Sequence, residues 1–274
     1  MSREIAPVWD PTQYGRYADE RSRPFFELTG RIRATAPDTV VDLGCGPGDL
    51  TATLAERWPT ARVTGVDNSP EMIARARRLA GDRLAFVQAD AATWTPDTPP
   101  DVIVSNALFQ WVPGHRDTLT RLAAALPSGG LLAFQVPGNF GAPSHVLLRE
   151  LCRTPRWRDR LDDAVRDAPV DEPTGYLDLL TRAGCAVDAW ETTYLHLLPG
   201  EDAVLEWVKG TALRPVLTRL TDPADRDAFI AEYRAALREA YPPRPYGTVF
   251  PFRRIFAVAQ APGSPDYGER FSGS

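Results

Sequence analysis

Lysine is all but missing from this chain. Lys209 is the only one, so arginine supplies nearly all of the 31 basic side chains. Arginine forms bidentate pairs with carboxylates where lysine acts as a point charge, so the positive groups present suit planar anions. Cysteine is scarce: Cys45, Cys152 and Cys185 are widely spaced and odd in number. That excludes a disulfide framework and implies a reducing, cytoplasmic setting. His115, His145 and His196 have no metal-binding spacing, so no metal centre is expected. No apolar run is long enough to span a bilayer, and the N-terminus lacks a basic-then-apolar signal pattern, so no membrane partner is expected. A net charge of −5 argues against nucleic acid as a partner. The 274 residues, 43% hydrophobic and 24% charged, are enough for one soluble α/β domain with an elaborated cap.

The informative stretch is Val40-Val41-Asp42-Leu43-Gly44-Cys45-Gly46-Pro47-Gly48. It reads as a buried strand that ends in an acid and then turns through three glycines into a helix. Glycine permits positive φ and lets a ligand lie against bare peptide groups. The helix behind it offers unpaired N–H groups and a positive dipole end. A nucleotide-like ligand is therefore expected at the turn, the alternative being a tight strand-to-helix turn with no ligand. The spacing is G-x-G-x-G, not the G-x-G-x-x-G of dinucleotide folds, and no Gly-Lys-Ser/Thr of a P-loop follows.

Three further strand ends carry polar groups in order. Ala61 to Asp67 is a second strand ending in an acid, about twenty residues past the turn, where ribose recognition places one. Ser69 caps the next helix, Pro70 takes its first position, and Met72 offers adenine an adaptable apolar surface. Leu84–Gln88 runs into Asp90, which can accept from an adenine amino group, and Ala91, whose amide can donate to a ring nitrogen. Asp101–Asn106 ends in polar Asn106, followed by Leu108-Phe109-Gln110-Trp111.

The motifs Asp42–Gly48, Asp67, Asp90-Ala91 and Asn106 resemble those of class I S-adenosylmethionine-dependent methyltransferases, which implies a Rossmann-like α/β fold whose seven-stranded sheet has the order 3-2-1-4-5-7-6, with strand 7 antiparallel. On that resemblance Gly44, Gly46 and Gly48 border the methionine part of the cofactor, S-adenosylmethionine. Asp67 takes the ribose, Asp90 and Ala91 the adenine, and Asn106 lies near the methionine amino group. Tyr14, Asp42, Asn68, Met72, Phe109 and Trp111 complete the expected cofactor set.

The remainder reads as one methyltransferase domain, residues 1–260, with elaborations. Thr12 to Thr35 reads as a helical segment able to fold over the cofactor mouth. Leu131–Val136 is strand five, Tyr176–Ala183 a crossover helix stopped by Gly184, and Cys185–Leu197 strand six. Lid insertions are expected at about 139–170, helical and arginine-rich, and at about 200–245, with two amphipathic helices between Glu201 and Tyr241. Strand seven is Phe252–Ala259, and the Gly/Pro/Ser-rich tail from 261 is expected to be disordered. Helical insertions on the carboxyl side of strands five and six would roof a small, enclosed acceptor.

A sulfonium methyl is already activated, so alignment is the main task. Amine and alcohol acceptors need a base. A carboxylate, with a reference pKa of about 4, does not. A lid, arginines and no obvious base suit carboxyl methylation, with water exclusion strengthening the attraction of anion for sulfonium.

A finer resemblance lies in Glu20-Arg21-Ser22-Arg23-Pro24, Gln110-Trp111-Val112-Pro113, Pro137-Gly138-Asn139-Phe140, Pro143-Ser144-His145, Glu191-Thr192-Thr193-Tyr194, Leu213-Arg214-Pro215 and Phe250-Pro251-Phe252-Arg253-Arg254. Together with the glycine turn these are similar to the trans-aconitate 2-methyltransferase family, from near Trp9 to about Gln260. The resemblance implies monomethyl esterification of trans-aconitate, a small polycarboxylate, by S-adenosylmethionine. Candidate anchors for the substrate are Arg21, Arg23, His145, Arg214, Arg253 and Arg254, with Asn139 and Tyr194 as neutral donors. Adjacent Arg253 and Arg254 on a strand point to opposite faces, so at most one reaches the acceptor. Trp111, Phe140 and Trp207 read more readily as core. Two other readings keep the same cofactor residues: a methyltransferase for another carboxyl or oxygen acceptor, and a non-catalytic S-adenosylmethionine-binding protein. Neither the carboxylate methylated nor the oligomeric state is legible.

Overall fold

Short, largely apolar runs form the parallel strands of a single sheet. The computed structural model describes residues 18–165 and 169–263. Strands β1 (Thr39–Leu43), β2 (Arg62–Asp67), β3 (Leu84–Gln88), β4 (Val102–Asn106), β5 (Leu131–Pro137), β6 (Ala186–Leu198) and β7 (Thr248–Gln260) lie in the order β3-β2-β1-β4-β5-β7-β6. The first five are parallel, and β7 runs antiparallel to β5. The expected sheet is therefore the observed one. Strand order reverses between β1 and β4, and in open α/β sheets ligands bind beyond the carboxyl ends of the strands at such a point.

Helices α1 (Ala18–Gly30), α2 (Asp49–Arg57), α3 (Pro70–Ala76), α4 (His115–Ala124), α5 (Pro143–Cys152), α6 (Arg158–Leu161), α7 (Pro173–Arg182), α8 (Ala203–Lys209), α9 (Arg214–Arg219) and α10 (Pro223–Ala240) connect and extend the strands. The chain divides into two compact units. The sheet unit comprises residues 22–137, 170–192 and 254–263. Its core joins Leu43, Val66, Ile103, Phe109, Leu122, Phe134, Tyr176 and Ile255. Each such side chain contributes about 1.5–3 kcal/mol when fully buried. The insertion unit comprises residues 18–21, 138–165, 169 and 193–253. It has a core of its own, with Trp157, Trp207, Val216, Phe229, Tyr233 and Phe250.

Several boundaries differ from expectation for identifiable reasons. The described part of the N-terminal segment is helical only over Ala18–Gly30. The stretch after β5 breaks after Cys152 instead of running on as one helical region. Three helices, not two, lie between Glu201 and Tyr241: α8 ends at Gly210, and Pro215 and Pro223 each sit in a first turn. Asp222 caps α10 by accepting from the Ala224 and Asp225 amides at 2.8 and 3.2 Å. β7 starts at Thr248, four residues early, because the alternating burial of Thr248, Phe250 and Phe252 already fits a strand. Gly184, at φ 89°, stops α7 as expected. The tail from 264 and Tyr14 lie outside the described residues. No described helix is long and apolar enough to cross a membrane.

Candidate active site

The three glycines of the turn all take positive φ, at 83° for Gly44, 56° for Gly46 and 90° for Gly48. Their reasons differ. A Cβ on Gly44 would meet Leu108 at 2.9 Å, and one on Gly48 would meet Ala76 and Phe86 at 2.9 Å. A Cβ on Gly46 meets nothing within 4 Å, so the peptide face there is open to a ligand. The turn is held by the Gly44 and Cys45 amides donating to the Val66 carbonyl at 2.7 and 3.0 Å. It is also held by Asp67, whose Oδ2 accepts from the Gly46 amide and Oδ1 from the Ser69 amide, both at 2.9 Å. Each carboxylate oxygen keeps a further acceptor site.

Asp42 lies beneath the turn, 2% exposed, and its Oδ2 accepts from Thr51 Oγ at 2.6 Å. Burial lifts its carboxyl to about 7, with the Thr51 bond opposing and the Asp67 charge adding. The side chain thus ties β1 to the first turn of α2, whose Gly48 cap supplies no side-chain bond. The same burial, with the charges of Asp42 and Asp67, raises the Cys45 thiol and leaves it unreactive.

The other expected cofactor residues of the sheet unit lie at or after the ends of β2, β3 and β4. Ser69 caps α3 through the Met72 amide at 3.3 Å, Pro70 takes the first position, and Met72 is buried. Asn68 is exposed. Exposed Asp90 turns its own loop by accepting from the Ala92 amide at 2.9 Å, and Ala91 is buried. Asn106 ends β4 with a buried Oδ1 that has no hydrogen-bond partner. The next residue, Ala107, has φ 56°, a conformation that costs an L-residue about 1–2 kcal/mol. Trp111 is half-buried. Phe109 departs from its expected place facing the cofactor: it is 0% exposed, edge-on to Phe134 at 5.5 Å in the core.

The substrate candidates fall in both units. In the insertion unit, Asn139 is 3% exposed, and neither its Oδ1 nor its Nδ2 has a partner. His145 contacts Ser144 Oγ through Nδ1 at 3.2 Å and packs edge-on to Phe140 at 5.4 Å. Burial, and then the Arg149 charge, push its pKa down to about 4. His145 is therefore a neutral ring near pH 7 and not a cationic anchor. Arg149 also donates to the Phe140 carbonyl at 2.7 Å, which fixes the loop after β5. Tyr194 is 2% exposed and stacks on His196 at 6.2 Å; Trp207, in the core as expected, also stacks on His196, at 4.8 Å. Arg214 opens α9 half-buried, and Arg253 donates to the Gly138 carbonyl at 3.3 Å. In the sheet unit, Arg254 is buried opposite Pro137, and Arg23 is exposed on α1. The Arg21 side chain lies outside the described residues.

Two residues with clear structural roles, Thr51 and Arg121, and one buried amide without a partner, Gln135, are not among the expected residues. Thr51 satisfies Asp42, and a Thr in the first turn of a helix after a glycine loop was a usable signal. Arg121 on α4 clamps the Asp90 loop, donating to the carbonyls of Trp94, Ala92 and Ala91 at 2.6, 3.0 and 3.3 Å. Gln135 in β5 is 0% exposed with both amide atoms unpartnered, and its one signal was a polar residue inside an apolar strand.

Residues 40–130 match the methyltransferase domain family. The chain is 61% identical to trans-aconitate 2-methyltransferase of Streptomyces avermitilis over 92% of its length and 97% of the relative's. It is 59% identical to the Streptomyces coelicolor enzyme of the same name, covering 94% of this chain and 88% of that one. Its fold is also that of the YcgJ protein from Bacillus subtilis, with a TM-score of 0.56 at 17% identity over 89% of this chain and 100% of that chain. The chain belongs to the trans-aconitate 2-methyltransferase family, within the class I S-adenosylmethionine-dependent methyltransferases.

Proposed function

We propose that this methyltransferase esterifies one carboxylate of trans-aconitate, giving a monomethyl ester and S-adenosylhomocysteine, by in-line displacement without a general base. The observation that carries the proposal is 61% identity spread over 97% of a trans-aconitate 2-methyltransferase, insertions included. On this reading residues 1–260 act as one methyltransferase domain, in the cytoplasm, where the free and buried Cys45, Cys152 and Cys185 stay reduced.

The cofactor supplies a methyl group on a positively charged sulfur. The chain's residues fit it on two counts: the open peptide face at Gly46 and the unpartnered Oδ1 of Asn106, which suits an ammonium donor. Gly44, Gly46 and Gly48 would border the methionine part, and Asp67 would take the ribose hydroxyls. Asp90, Ala91, Asn68 and Met72 would hold the adenine, and Trp111 would flank the site. Asp42 and Phe109 act from below, one by fixing the start of α2 and the other by packing the segment after β4.

Acceptor recognition is assigned to Arg254, Arg214, Arg23, Asn139, Tyr194 and His145. Two carboxylates of the acid need cationic or N–H partners, while the reacting one must stay lightly bound to remain nucleophilic. Asn139 supports this assignment most, since a buried amide lacking any partner costs about 1–3 kcal/mol. His145, neutral at pH 7 through burial, can hydrogen-bond the acid but is not required as a base. Turnover across a panel of small mono-, di- and tricarboxylic acids tests the proposal: trans-aconitate should have the highest kcat/KM, and no turnover on it would overturn the assignment.

A further inference from the structure

Most buried polar side chains near the carboxyl ends of β1 and β4 are satisfied inside the protein: Asp42 by Thr51 at 2.6 Å, Ser105 by the Leu43 carbonyl at 2.8 Å. Gln135 is the exception in β5. It is 0% exposed, and neither Nε2 nor Oε1 has a partner. An orphaned buried amide costs about 1–3 kcal/mol, and a methionine or leucine would fill the same strand position without that cost.

Its position says what the amide serves. In register Gln135 is paired with Asn106 of β4, whose Oδ1 is also buried and unpartnered, and with Phe256 of β7. Parallel neighbours point to the same face about 4.8 Å apart. The Gln135 carbonyl takes the Ala107 amide at 2.8 Å and so holds the positive-φ residue after Asn106. Arg254, two residues along β7 from Phe256, is buried on that same face, at a diagonal separation of about 7–8 Å that long side chains span. The ends of β2 and β3, with Asp67 and Asp90, are on the opposite side of β1. Gln135 therefore sits away from the ribose and adenine groups and beside a buried guanidinium.

We propose that the Gln135 amide donates to a carboxylate of the acceptor acid and so helps select which acids are methylated. The inference rests on the carboxyl-methylation reading above. A carboxylate placed there accepts from both an amide N–H and a guanidinium, a pairing stronger than neutral hydrogen bonds.

The test is Gln135→Met, assayed on whichever acid the wild type methylates fastest. The acceptor KM should rise at least about tenfold, S-adenosylhomocysteine affinity should stay within about twofold, and the thermal midpoint should not fall, because an orphaned amide has been removed. An unchanged acceptor KM in a folded variant overturns the proposal, as does a loss confined to cofactor affinity. If the variant does not fold, the Gln135 side-chain amide resonances of the wild type bound to S-adenosylhomocysteine are followed on adding the acid, and no shift overturns it. A wild type that turns over no carboxylic acid at all refutes the underlying reading instead.

Discussion

The Gly46 amide donates to Asp67 Oδ2 at 2.9 Å, so the acid closing the second strand also shapes the glycine turn after the first. On the proposed function, ribose binding and the cradle for methionine would thereby be coupled through one carboxylate. Asp67→Ala is expected to weaken S-adenosylmethionine by more than about 1.4 kcal/mol, one tenfold step in affinity. Asp67→Asn should lose affinity too, because its NH2 end cannot accept from the Gly46 or the Ser69 amide. Titration calorimetry on both variants checks this, and wild-type affinity in Asp67→Ala would remove Asp67 from the site.

Asp42 gives a prediction in pH. Its carboxyl is raised from an ordinary 3.8 to about 7, chiefly by burial. The folded protein thus holds a proton that the unfolded chain releases first, so this stabilising contribution is complete below about 4 and is lost as pH rises to about 7. Asp42→Asn, which keeps an acceptor for Thr51, should flatten the fall in stability between about pH 4 and 7 and be the more stable protein at pH 8. Urea unfolding of both proteins across that range reads it directly.

Much of the cofactor half was legible because its signals are local. Each of β1 to β4 is a short apolar run, and Asp67, Asp90 and Asn106 follow from where the runs end. The Ser69-Pro70 helix start is likewise written in adjacent residues. What escaped depends on groups far apart in sequence. Arg121 reaches carbonyls about thirty residues upstream, and nothing near it marks that reach. Phe109 is expected among the cofactor residues, yet its ring goes to Phe134. The separate core of the insertion unit, built from Trp157, Trp207 and Phe229, could not be read from helical periodicity alone.

His145 is expected to behave as a neutral ring throughout the physiological range. Burial and Arg149 lower its pKa from 6.5 to about 4, so the unfolded chain takes up the proton first as pH falls. The resulting stability, full above about 6.5, is lost between about 6.5 and 4. Imidazole resonances of His145 should not titrate above pH 5 in the free protein; a midpoint near 6.5 would restore it as a cationic anchor. His145→Ala should lower kcat by far less than removal of an obligatory base, which costs about 10²–10⁴-fold.

Arg253 and Arg254 face opposite sides of β7, so they should separate kinetically. Arg254→Gln is expected to raise the acceptor KM at least about tenfold with S-adenosylhomocysteine affinity within about twofold. Arg253→Gln, removing a 3.3 Å bond to the Gly138 carbonyl, should change the acceptor KM less. Arg214→Ala should behave like Arg254→Gln, and unchanged constants there would make Arg214 a structural residue.

Transfer of the methyl group to a carboxylate of trans-aconitate is the step on which the proposed function stands. Its most direct measurement uses methyl-labelled S-adenosylmethionine with trans-aconitate and a panel of other small acids, following S-adenosylhomocysteine and base-labile methyl ester together. The expected product is a monomethyl ester of trans-aconitate, formed with the highest kcat/KM of the panel. Transfer to another acceptor with none to trans-aconitate would contradict it.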